Sequence, residues 1–405
     1  MYQDSVLYDF QKEAIKKSKK NYLYALDTGT GKTITSIHHY LKYAPKERLL
    51  IIAPPAKVKE GGWQRDIEFV CKQYDITIDY SLISYGMLSK KWHDFKNCFV
   101  IFDEAHYVKN PTSQRGKAAL YLTRQSKGFC LLTATPMSNG WQDSYNYFIM
   151  FGYFKNKTEM NRKYAIYETK FFGSRQIPQI VGWSNEQELE KFYQEFTVSI
   201  SKDEALDLPP LVYRKIFFKP SSFYKKIKKD RVLNDEPFDT PAKLAAGLRF
   251  YANRQDKLEY LSTIVEGTTE NIVVFYQFKQ ELVEIKNILK SKRIFEVNGQ
   301  CFNLPKKQPE NSVTLVQYQA GSAGIELQYA NIVIFYTPTY SFQDYSQSLG
   351  RAYRNGQTKK VTVYQFNTEN TIEEKVWEAL ENKKDFSEKR YLDTTISKKE
   401  ICRDE

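Results

Sequence analysis

Cysteine and histidine are both scarce in this sequence. Its 405 residues include five cysteines and four histidines. The cysteines form no CxxC pair and the histidines are widely scattered, so the sequence predicts neither a zinc site nor a disulfide framework. This cysteine usage is typical of proteins from a reducing compartment.

Long apolar runs are also missing. No stretch approaches the ~18 consecutive apolar residues of a membrane span. The first ten residues, MYQDSVLYDF, lack the basic and apolar regions of a signal peptide. We therefore expect no membrane partner and a cytoplasmic location.

What the sequence has in excess is positive charge. Its formal net charge is +12 at pH 7. Lysine and arginine neutralise phosphates and release counterions, so this balance favours a polyanionic partner, nucleic acid before membrane. Aromatic residues make up 15% of the chain; we expect most of them in the core, although a minority could stack on bases.

Short apolar runs recur along the chain and predict strands. A first series lies at residues 21–26, 48–53, 98–102 and 128–132, and a second at 271–276, 312–317, 331–336 and 361–366. Continuous apolar strands between helix-compatible segments are typical of parallel sheets buried on both faces. The predicted fold class is α/β, with one lobe at residues 1–235 and another at 236–405. Residues 137–235 are expected to form a mostly helical insertion and a connector.

The stretch YALDTGTGKTITSI, residues 24–37, has the order of a phosphate-binding loop. Gly29 and Gly31 allow a tight turn whose backbone N–H groups face a ligand, and the helix that follows favours an anion. Lys32 would reach the β- and γ-phosphates of a nucleotide, and Thr33 would hold magnesium. Leu26 stands where the general GxxxxGKT pattern has its first glycine, and an ordinary strand-to-helix turn is the alternative interpretation.

Polar residues follow two later strands. The run CFVIF ends in Asp103 and Glu104, and ligands of open parallel sheets bind at the carboxyl ends of strands. Asp103 would orient the magnesium shell, and Glu104 would act as general base for the attacking water. The run GFCLL leads to Thr133 and Thr135, whose hydroxyls could link Glu104 to a neighbouring site. The alternatives are a solvated loop for the acid pair and a capped turn for the threonines.

Two arginines near the end of the chain are candidates for charge stabilisation. Arg351 and Arg354 lie three residues apart in QSLGRAYRNGQ, residues 347–357, which would place both on one face of a helix. From the second lobe they would reach the γ-phosphate and stabilise the charge that develops during hydrolysis. A helix with two solvated arginines is the alternative.

Taken in order, these segments resemble a superfamily II nucleic-acid motor, and most of all the Swi/Snf group of DNA translocases. The resemblance covers roughly residues 6–380 and rests on LYDFQKEAI, ALDTGTGKT, LLIIAPPAKVKEGGW, IFDEAHYVKN, LLTATPMSN, VVFYQF, QAGSAGIELQYAN and QSLGRAYRNGQ. The KN at 109–110, Asn139 and the AGSAGIEL pattern favour this group over DEAD-box and other DExH helicases. It implies two RecA-like lobes, the first with a helical insertion after TATP.

The resemblance also implies a nucleotide site for ATP and Mg²⁺. Phe10 and Gln11 match the family's adenine contacts, Thr33 and Asp103 its magnesium positions, and the two arginines its arginine fingers. The residues implied to bind ATP are Phe10, Gln11, Thr28, Gly29, Thr30, Gly31, Lys32, Thr33, Gly324, Glu326 and Gln347. The implied catalytic residues are Lys32, Asp103, Glu104, Arg351 and Arg354, with Thr133 and Thr135 as coupling residues.

A DNA track over both lobes is implied as well, made of backbone contacts that read no sequence. The expected contacts are Lys57, Trp63, Ser84, Tyr85, Asn110, Gln277, Phe278 and Ser322. Each has a structural alternative; Trp63, for example, could belong to the core. The basic run KKIKK at 225–229 could be a solvated connector or a DNA-facing patch.

Departures from the family pattern limit what the resemblance implies. Thr337 and Tyr340 stand where the family has aspartate and tryptophan, and we expect no chromatin-reader, nuclease or zinc module. These points argue against nucleosome remodelling and favour a compact motor like those of bacteriophages and mobile elements. We therefore expect an ATPase that is a DNA translocase or helicase, in the host cytoplasm if phage-encoded, with replication or recombination proteins as further partners. An RNA-directed DExH helicase and an ATP-switched DNA-binding or loader protein remain the alternatives.

Overall fold

The apolar runs of the sequence become the strands of two separate sheets. The computed structural model describes residues 6–137, 140–172, 175–205, 208–289, 292–318 and 325–382. The chain divides into two units, residues 1–206 and 207–405, each with its own sheet and core. The second unit thus begins at 207 rather than at the expected 236.

The first unit is built on a six-stranded parallel sheet. Its strands, together with those of a separate ribbon, are β1 (Tyr22–Leu26), β2 (Leu49–Ala53), β3 (Tyr80–Ser84), β4 (Phe99–Asp103), β5 (Gly128–Leu132), β6 (Ala165–Phe172), β7 (Arg175–Trp183) and β8 (Thr197–Ile200). The order in the sheet is β3-β2-β4-β5-β1-β8, and every neighbouring pair is parallel. Because successive side chains point to opposite faces, Leu23 and Ala25 pack into one core and Tyr22, Tyr24 and Leu26 into another. Burial on both faces explains the continuous apolar runs.

Helices connect and cover these strands. They are α1 (Asp9–Lys17), α2 (Lys32–Tyr43), α3 (Pro55–Glu60), α4 (Gly62–Tyr74), α5 (Tyr85–Lys91), α6 (Gln114–Gln125), α7 (Tyr145–Met150), α8 (Lys157–Tyr164), α9 (Glu186–Phe196) and α10 (Lys202–Ala205). Short 3-10 helices lie at Trp92–Phe95, Ala105–Val108 and Trp141–Ser144. Three of the helices begin at a side-chain cap, since Ser84, Ser113 and Asn156 accept a backbone N–H at the starts of α5, α6 and α8.

The segment after β5 is only partly helical, which differs from the expectation for residues 137–235. β6 and β7 form an antiparallel ribbon, in which Ala165 pairs with Trp183. β8 then joins the main sheet beside β1. Pro178 interrupts the apolar pattern of β7, so the sequence did not predict a strand there. A two-stranded ribbon accommodates a proline because each strand has an edge outside the pairing.

The second unit is built on a seven-stranded mixed sheet. Its strands, together with a small hairpin, are β9 (Leu211–Phe218), β10 (Val232–Leu233), β11 (Glu236–Pro237), β12 (Ile272–Tyr276), β13 (Arg293–Val297), β14 (Phe302–Asn303), β15 (Ser312–Gln317), β16 (Ile332–Phe335) and β17 (Val361–Thr368). The order is β14-β13-β15-β12-β16-β17-β9, and only β13 and β14 pair antiparallel. The helices described in this unit are α11 (Ser222–Asp230), α12 (Pro241–Phe250), α13 (Gln255–Glu266), α14 (Lys279–Ile288), α15 (Phe342–Ala352) and α16 (Ile372–Glu381).

The edge strand β9 accounts for the shifted boundary. It pairs with β17 along its whole length, from Leu211 opposite Val361 to Phe218 opposite Thr368. An edge strand is only partly buried and lacks a continuous apolar run, so residues 207–220 resembled an extended connector. The KKIKK run lies in α11, where Ile227 is buried and the lysines are exposed. None of the helices that the structure describes has the length and apolar character needed to cross a membrane.

Candidate functional site

Four strands bring the predicted nucleotide residues to one edge of the first sheet. β1 runs into the loop of residues 27–31, β2 leads to α3, β4 ends at Asp103, and β5 ends just before Thr133. Because these strands are parallel, their carboxyl ends lie at the same edge, where open α/β sheets bind ligands. The loop after β1 and the acidic pair at the end of β4 therefore lie at the same edge, with β5 between the two strands.

The loop of residues 27–31 has the backbone of a phosphate-binding turn. Gly29 and Gly31 have φ angles of 82° and 75°, in the left-handed region that glycine enters without steric cost. The Thr30 hydroxyl donates to the Asp27 carbonyl at 2.7 Å, and the Thr28 N–H donates to the Asp27 carboxylate at 2.6 Å. These bonds hold the turn at the N-terminus of α2, where N–H groups and the helix dipole favour an anion.

Gln11 is buried against this loop. Its amide nitrogen donates to the carbonyls of Thr30 at 3.1 Å and Gly31 at 3.2 Å, and its Oε1 accepts from the Tyr8 N–H at 2.9 Å. Phe10 is half-buried, and its ring stacks with that of Tyr8 at 5.7 Å. Gln11 is thus tied to the phosphate loop, and the adenine contact of Phe10 and Gln11 stays a prediction.

Lys32 is the first residue of α2 and reaches back over the loop. Its ammonium donates to the carbonyls of Leu26 at 2.9 Å and Asp27 at 3.0 Å. Burial lowers the pKa of Lys32 to about 8, while the negative charge of Glu104 opposes that shift. An ammonium held only by carbonyl oxygens can exchange them for phosphate oxygens, which carry more charge. Thr33 follows directly and is half-buried.

The carboxylates of Asp103 and Glu104, at the end of β4, are buried. The two residues are 2% and 6% exposed. Glu104 has a φ angle of 58°, and this left-handed turn leads into the 3-10 helix Ala105–Val108. The Tyr85 hydroxyl donates to the Asp103 carbonyl at 2.8 Å and so anchors the strand end. Tyr85 was expected on the DNA track, but the structure buries it at this position.

Lys57 and Trp63 both bind the acidic pair. The Lys57 ammonium donates to the two Asp103 oxygens at 3.0 Å each and to Glu104 Oε1 at 3.2 Å. Trp63 Nε1 donates to Asp103 Oδ2 at 3.0 Å. Burial by itself raises the pKa of Glu104, but the nearby cations, Lys57 first, outweigh it and hold that pKa well below its usual range. Lys57 and Trp63 were expected to contact DNA. In the structure their side chains donate hydrogen bonds to the carboxylates of the acidic pair.

The sequence could have revealed this contact only through the order of the strands. β2 leads to the segment that carries Lys57 and Trp63, and β2 lies beside β4 in the sheet. A lysine and a tryptophan that follow β2 are therefore near the carboxylates that end β4. Adjacency of β2 and β4 does not follow from their order along the chain, so the sequence left the contact unrecognised.

The acidic pair also fits a magnesium ion. Glu104 Oε2 is buried and has no hydrogen-bond partner among the described residues. Carboxylate and hydroxyl oxygens, such as those of Asp103 and Thr33, are the hard ligands that Mg²⁺ prefers alongside phosphate and water. The ammonium of Lys57 already places a positive charge against the same carboxylates, which agrees with a site made for a cation.

The predicted coupling residues lie close to Glu104. His106 Nδ1 is 3.5 Å from Glu104 Oε2 and 3.5 Å from the Thr133 hydroxyl. The Thr133 hydroxyl also accepts from the Thr135 N–H at 3.2 Å. Burial lowers the pKa of His106, although Glu104 acts in the opposite direction. His106, which the sequence interpretation did not assign, therefore connects the acidic pair to the threonines.

The remaining candidates of the first unit lie around α5 and α6. Ser84 caps α5 by accepting the Met87 N–H at 3.4 Å. Asn110 is exposed, and its Oδ1 accepts from the Thr112 N–H at 3.0 Å. Both remain predicted DNA contacts. Asn139 lies outside the described residues.

In the second unit, α15 carries two of the predicted nucleotide residues. Gln347 is buried within the helix, and Arg351 lies in its last turn. The helix ends at Ala352, so Arg354 lies beyond it and does not share a helical face with Arg351 as expected. The helix stops there because Tyr353, with φ −97° and ψ 87°, has left the helical conformation.

Arg354 is instead close to another predicted residue. Its Nη1 lies 3.8 Å from Glu326 Oε1, and its Nε is buried without a hydrogen-bond partner among the described residues. The structure thus brings together Arg354, an implied catalytic residue, and Glu326, an implied ATP-binding residue. Gly324 and Ser322 lie outside the described residues.

Gln277 and Phe278 follow β12 and begin α14. Their N–H groups both donate to Glu281 Oε2 at 2.9 Å, and the Phe278 ring packs against Phe250 at 5.3 Å. These contacts fix the start of α14. The DNA contacts expected of Gln277 and Phe278 stay predictions.

Comparison with known proteins shows which families the chain is similar to. Three family models match: the type III restriction enzyme res subunit at residues 1–138, the SNF2-related domain at 70–243 and the helicase conserved C-terminal domain at 256–356. The DNA annealing helicase and endonuclease ZRANB3 of Bos taurus is 22% identical, over 93% of this chain and 40% of that protein. A SWI/SNF-related matrix-associated actin-dependent regulator of chromatin, subfamily A-like protein 1, of Drosophila melanogaster is 25% identical, over 75% of this chain and 43% of that protein. The chain is therefore similar in sequence to SNF2-related proteins and to helicases.

The chain spans less than half the length of the curated relatives it matches. Among solved structures, the Sulfolobus solfataricus SWI2/SNF2 ATPase core in complex with dsDNA is 19% identical with a TM-score of 0.43, covering 93% of this chain and 90% of that one. The two units described above, each built on a largely parallel sheet, confirm the predicted α/β fold class.

Proposed function

We propose that this protein is a Swi/Snf-like helicase, an ATP- and Mg²⁺-dependent motor that moves along DNA. The proposal rests on one observation: the phosphate loop, Asp103 and Glu104 all lie at the same edge of the first sheet. Lys32 at the loop and a buried carboxylate pair beside it are the parts that nucleotide hydrolysis requires. A role in the replication or recombination of a mobile element stays a prediction.

The chemistry follows from the state of each group. Glu104 is held ionised by Lys57 and Lys32, so it can accept a proton from the water that attacks the γ-phosphate. Lys32 would bind the β- and γ-phosphates after releasing its two carbonyl partners. Thr33 and Asp103 would hold Mg²⁺, which when bound neutralises phosphate charge. Arg351 and Arg354 are proposed to stabilise the charge that develops on the transferred phosphoryl group.

Two observations favour DNA as the track. The net charge of +12 suits a phosphate backbone. One of the relatives covering most of this chain is named a DNA annealing helicase. Movement would couple closure on ATP and reopening after hydrolysis to a step along the strand.

The test compares variants of the hydrolytic pair. Glu104→Gln keeps the shape of the side chain but removes the base, so ATP turnover should fall at least about 10²-fold. Fluorescent ADP should still bind this variant, and Lys32→Ala should lose both turnover and ADP binding. Glu68→Gln, an exposed change on α4, is the matched control and should behave as wild type. Unchanged turnover in Glu104→Gln would contradict the proposal.

The other activities considered for this chain give different outcomes in the same assays. An RNA-directed helicase would show stronger stimulation of ATP turnover by RNA than by DNA. An ATP-switched loader would bind ATP in a single-turnover experiment and leave it uncleaved. Either result with the wild-type chain would replace the translocase proposal.

A further inference from the structure

A basic, aromatic groove lies on the first unit beside the acidic pair. It has a volume of about 820 Å³ and is open to solvent. Its walls come from α5, α6 and the 3-10 helices Trp92–Phe95 and Ala105–Val108. Apart from Asn110, none of its lining residues was assigned a role from the sequence.

The charge of the groove is one-sided. Lys90, Lys109, Arg115 and Lys117 line it, and none of the residues that line it is an aspartate or glutamate. Lys109 is paired with Asp143 at 2.8 Å. Lys90, Arg115 and Lys117 are exposed and have no ion pair among the described residues. The chain has 48 acidic residues, but none of them lines this groove. The groove is therefore complementary to an anion.

The aromatic rings of the groove are rigid and accessible. Tyr121 is 49% exposed, and its ring stacks on Trp92 at 5.3 Å with an interplanar angle of 22°. Tyr107 is 36% exposed, and its ring stacks on the buried Tyr85 at 5.1 Å and 11°. The Arg115 guanidinium lies over the Tyr107 ring at 5.7 Å from its centroid, so a base that stacks there displaces Arg115, whereas Tyr121 is the more open of the two rings. A ring that is held on one side by another ring can stack a base without a large entropic cost.

We propose that this groove holds a short single-stranded segment of nucleic acid. Bases of a single strand are free to stack on Tyr107 and Tyr121, whereas bases in a duplex are already stacked on each other. Arg115 and Lys117 bind the phosphates of the same segment. The inference rests on the proposed function. It adds that this surface binds a single strand rather than a duplex.

The position of the groove gives the segment a route to the hydrolytic site. His106 lines the groove and is also 3.5 Å from Glu104 and from the Thr133 hydroxyl. A strand that contacts His106 is therefore one side chain away from the carboxylate that activates water.

The test measures binding of fluorescein-labelled dT20 to the full chain by anisotropy at several salt concentrations. Tyr121→Ala should weaken binding about tenfold, the usual loss of one stacked base, with no change in the salt dependence. Lys117→Ala should instead reduce the slope of log K against log[salt] by about 0.7, the value for one phosphate on a single strand. Tyr121→Phe, which keeps the stacking ring, should bind as wild type.

Matched controls come from the same unit. Phe69→Ala and Lys46→Ala change exposed residues outside the groove and should leave both the affinity and the slope unaltered. Thermal unfolding of each variant establishes that it is folded. Equal dT20 affinity of Tyr121→Ala and Phe69→Ala would overturn the inference, even if DNA still stimulates wild-type ATP turnover.

Three further outcomes also decide. Displacement of dT20 by polyglutamate as readily as by unlabelled dT20 would mean that the groove binds acidic chains without stacking, and would overturn the proposal. Absence of any nucleic-acid binding by the wild-type chain would overturn both this inference and the proposed function. Loss of dT20 binding in Tyr121→Ala, with binding of a blunt 20-base-pair duplex retained, supports the single-stranded assignment.

Discussion

The charge of Lys57 should stabilise the first unit strongly in the absence of nucleotide. Lys57→Met keeps most of the aliphatic stem and removes three charge-assisted hydrogen bonds, at 3.0, 3.0 and 3.2 Å. The side chains of Asp103 and Glu104, taken without their backbone, are 3% and 8% exposed, so water cannot easily replace the ammonium. Lys57→Met should therefore unfold more readily than wild type.

The magnitude follows from the burial of the partners. Breaking a fully buried ion pair costs about 3–5 kcal/mol because a charge is left uncompensated. Lys57 itself is 21% exposed, so solvent screens part of that cost and we expect about 2–3 kcal/mol. For a unit of this size, that loss lowers the melting temperature by about 5–10 °C.

The assay is thermal unfolding with and without Mg²⁺. Lys59→Met, an exposed change on the same helix, is the control and should stay within about 0.5 kcal/mol of wild type. Magnesium should raise the melting temperature of Lys57→Met more than that of wild type, because it supplies positive charge to the same carboxylates. Equal melting temperatures for Lys57→Met and Lys59→Met would refute this account of the acidic pair.

Two further predictions concern stability. His39 is buried and neutral, because its Nε2 donates to a backbone carbonyl and its Nδ1 accepts from the Tyr24 hydroxyl at 2.8 Å. Burial lowers the pKa of His39 to about 4, whereas a histidine in an unfolded chain has a pKa of about 6.5. Between these two values the unfolded state binds a proton that the folded state does not. Stability therefore falls as the pH drops from about 6.5 to 4. Urea unfolding at pH 7 and pH 5 should show wild type losing about 2 kcal/mol more than His39→Gln; parallel losses would contradict this. In Gly116→Ala the added Cβ would lie 1.9 Å from the Asn110 carbonyl oxygen, so we expect the free energy of unfolding to fall by about 2 kcal/mol or more. Gly86→Ala is the control: the nearest atom to its added Cβ is 3.8 Å away, and the change should be neutral or stabilising. Similar melting temperatures for the two variants would count against the contact.

The sequence predicted the parts of the fold that have a strong local signal. β1, β2, β4 and β5 are buried on both faces and therefore appear as unbroken apolar runs, and Gly29 and Gly31 mark the loop because few other residues enter its left-handed backbone. β9 and the β6–β7 ribbon have no such signal, since their side chains are partly exposed and Pro178 interrupts one of them.

Side-chain contacts in the site depended on which strands are neighbours. Asp103 and Glu104 were recognised because they directly follow a buried strand. Their contact with Lys57 and Trp63 depends on β2 lying beside β4, which no local pattern indicates. The groove around Tyr121 could not be predicted either, because Trp92, Tyr107 and Tyr121 lie in three separate helical segments and no local pattern indicates how these pack.

ATP turnover with and without DNA tests the central claim most directly. The rate should be measured with the wild-type chain alone, with single-stranded DNA, with duplex DNA and with RNA, at two salt concentrations because phosphate binding is salt-dependent. The account predicts that DNA raises turnover, that RNA does so less, and that Glu104→Gln abolishes the stimulated rate. A basal rate that is indifferent to every nucleic acid would contradict it.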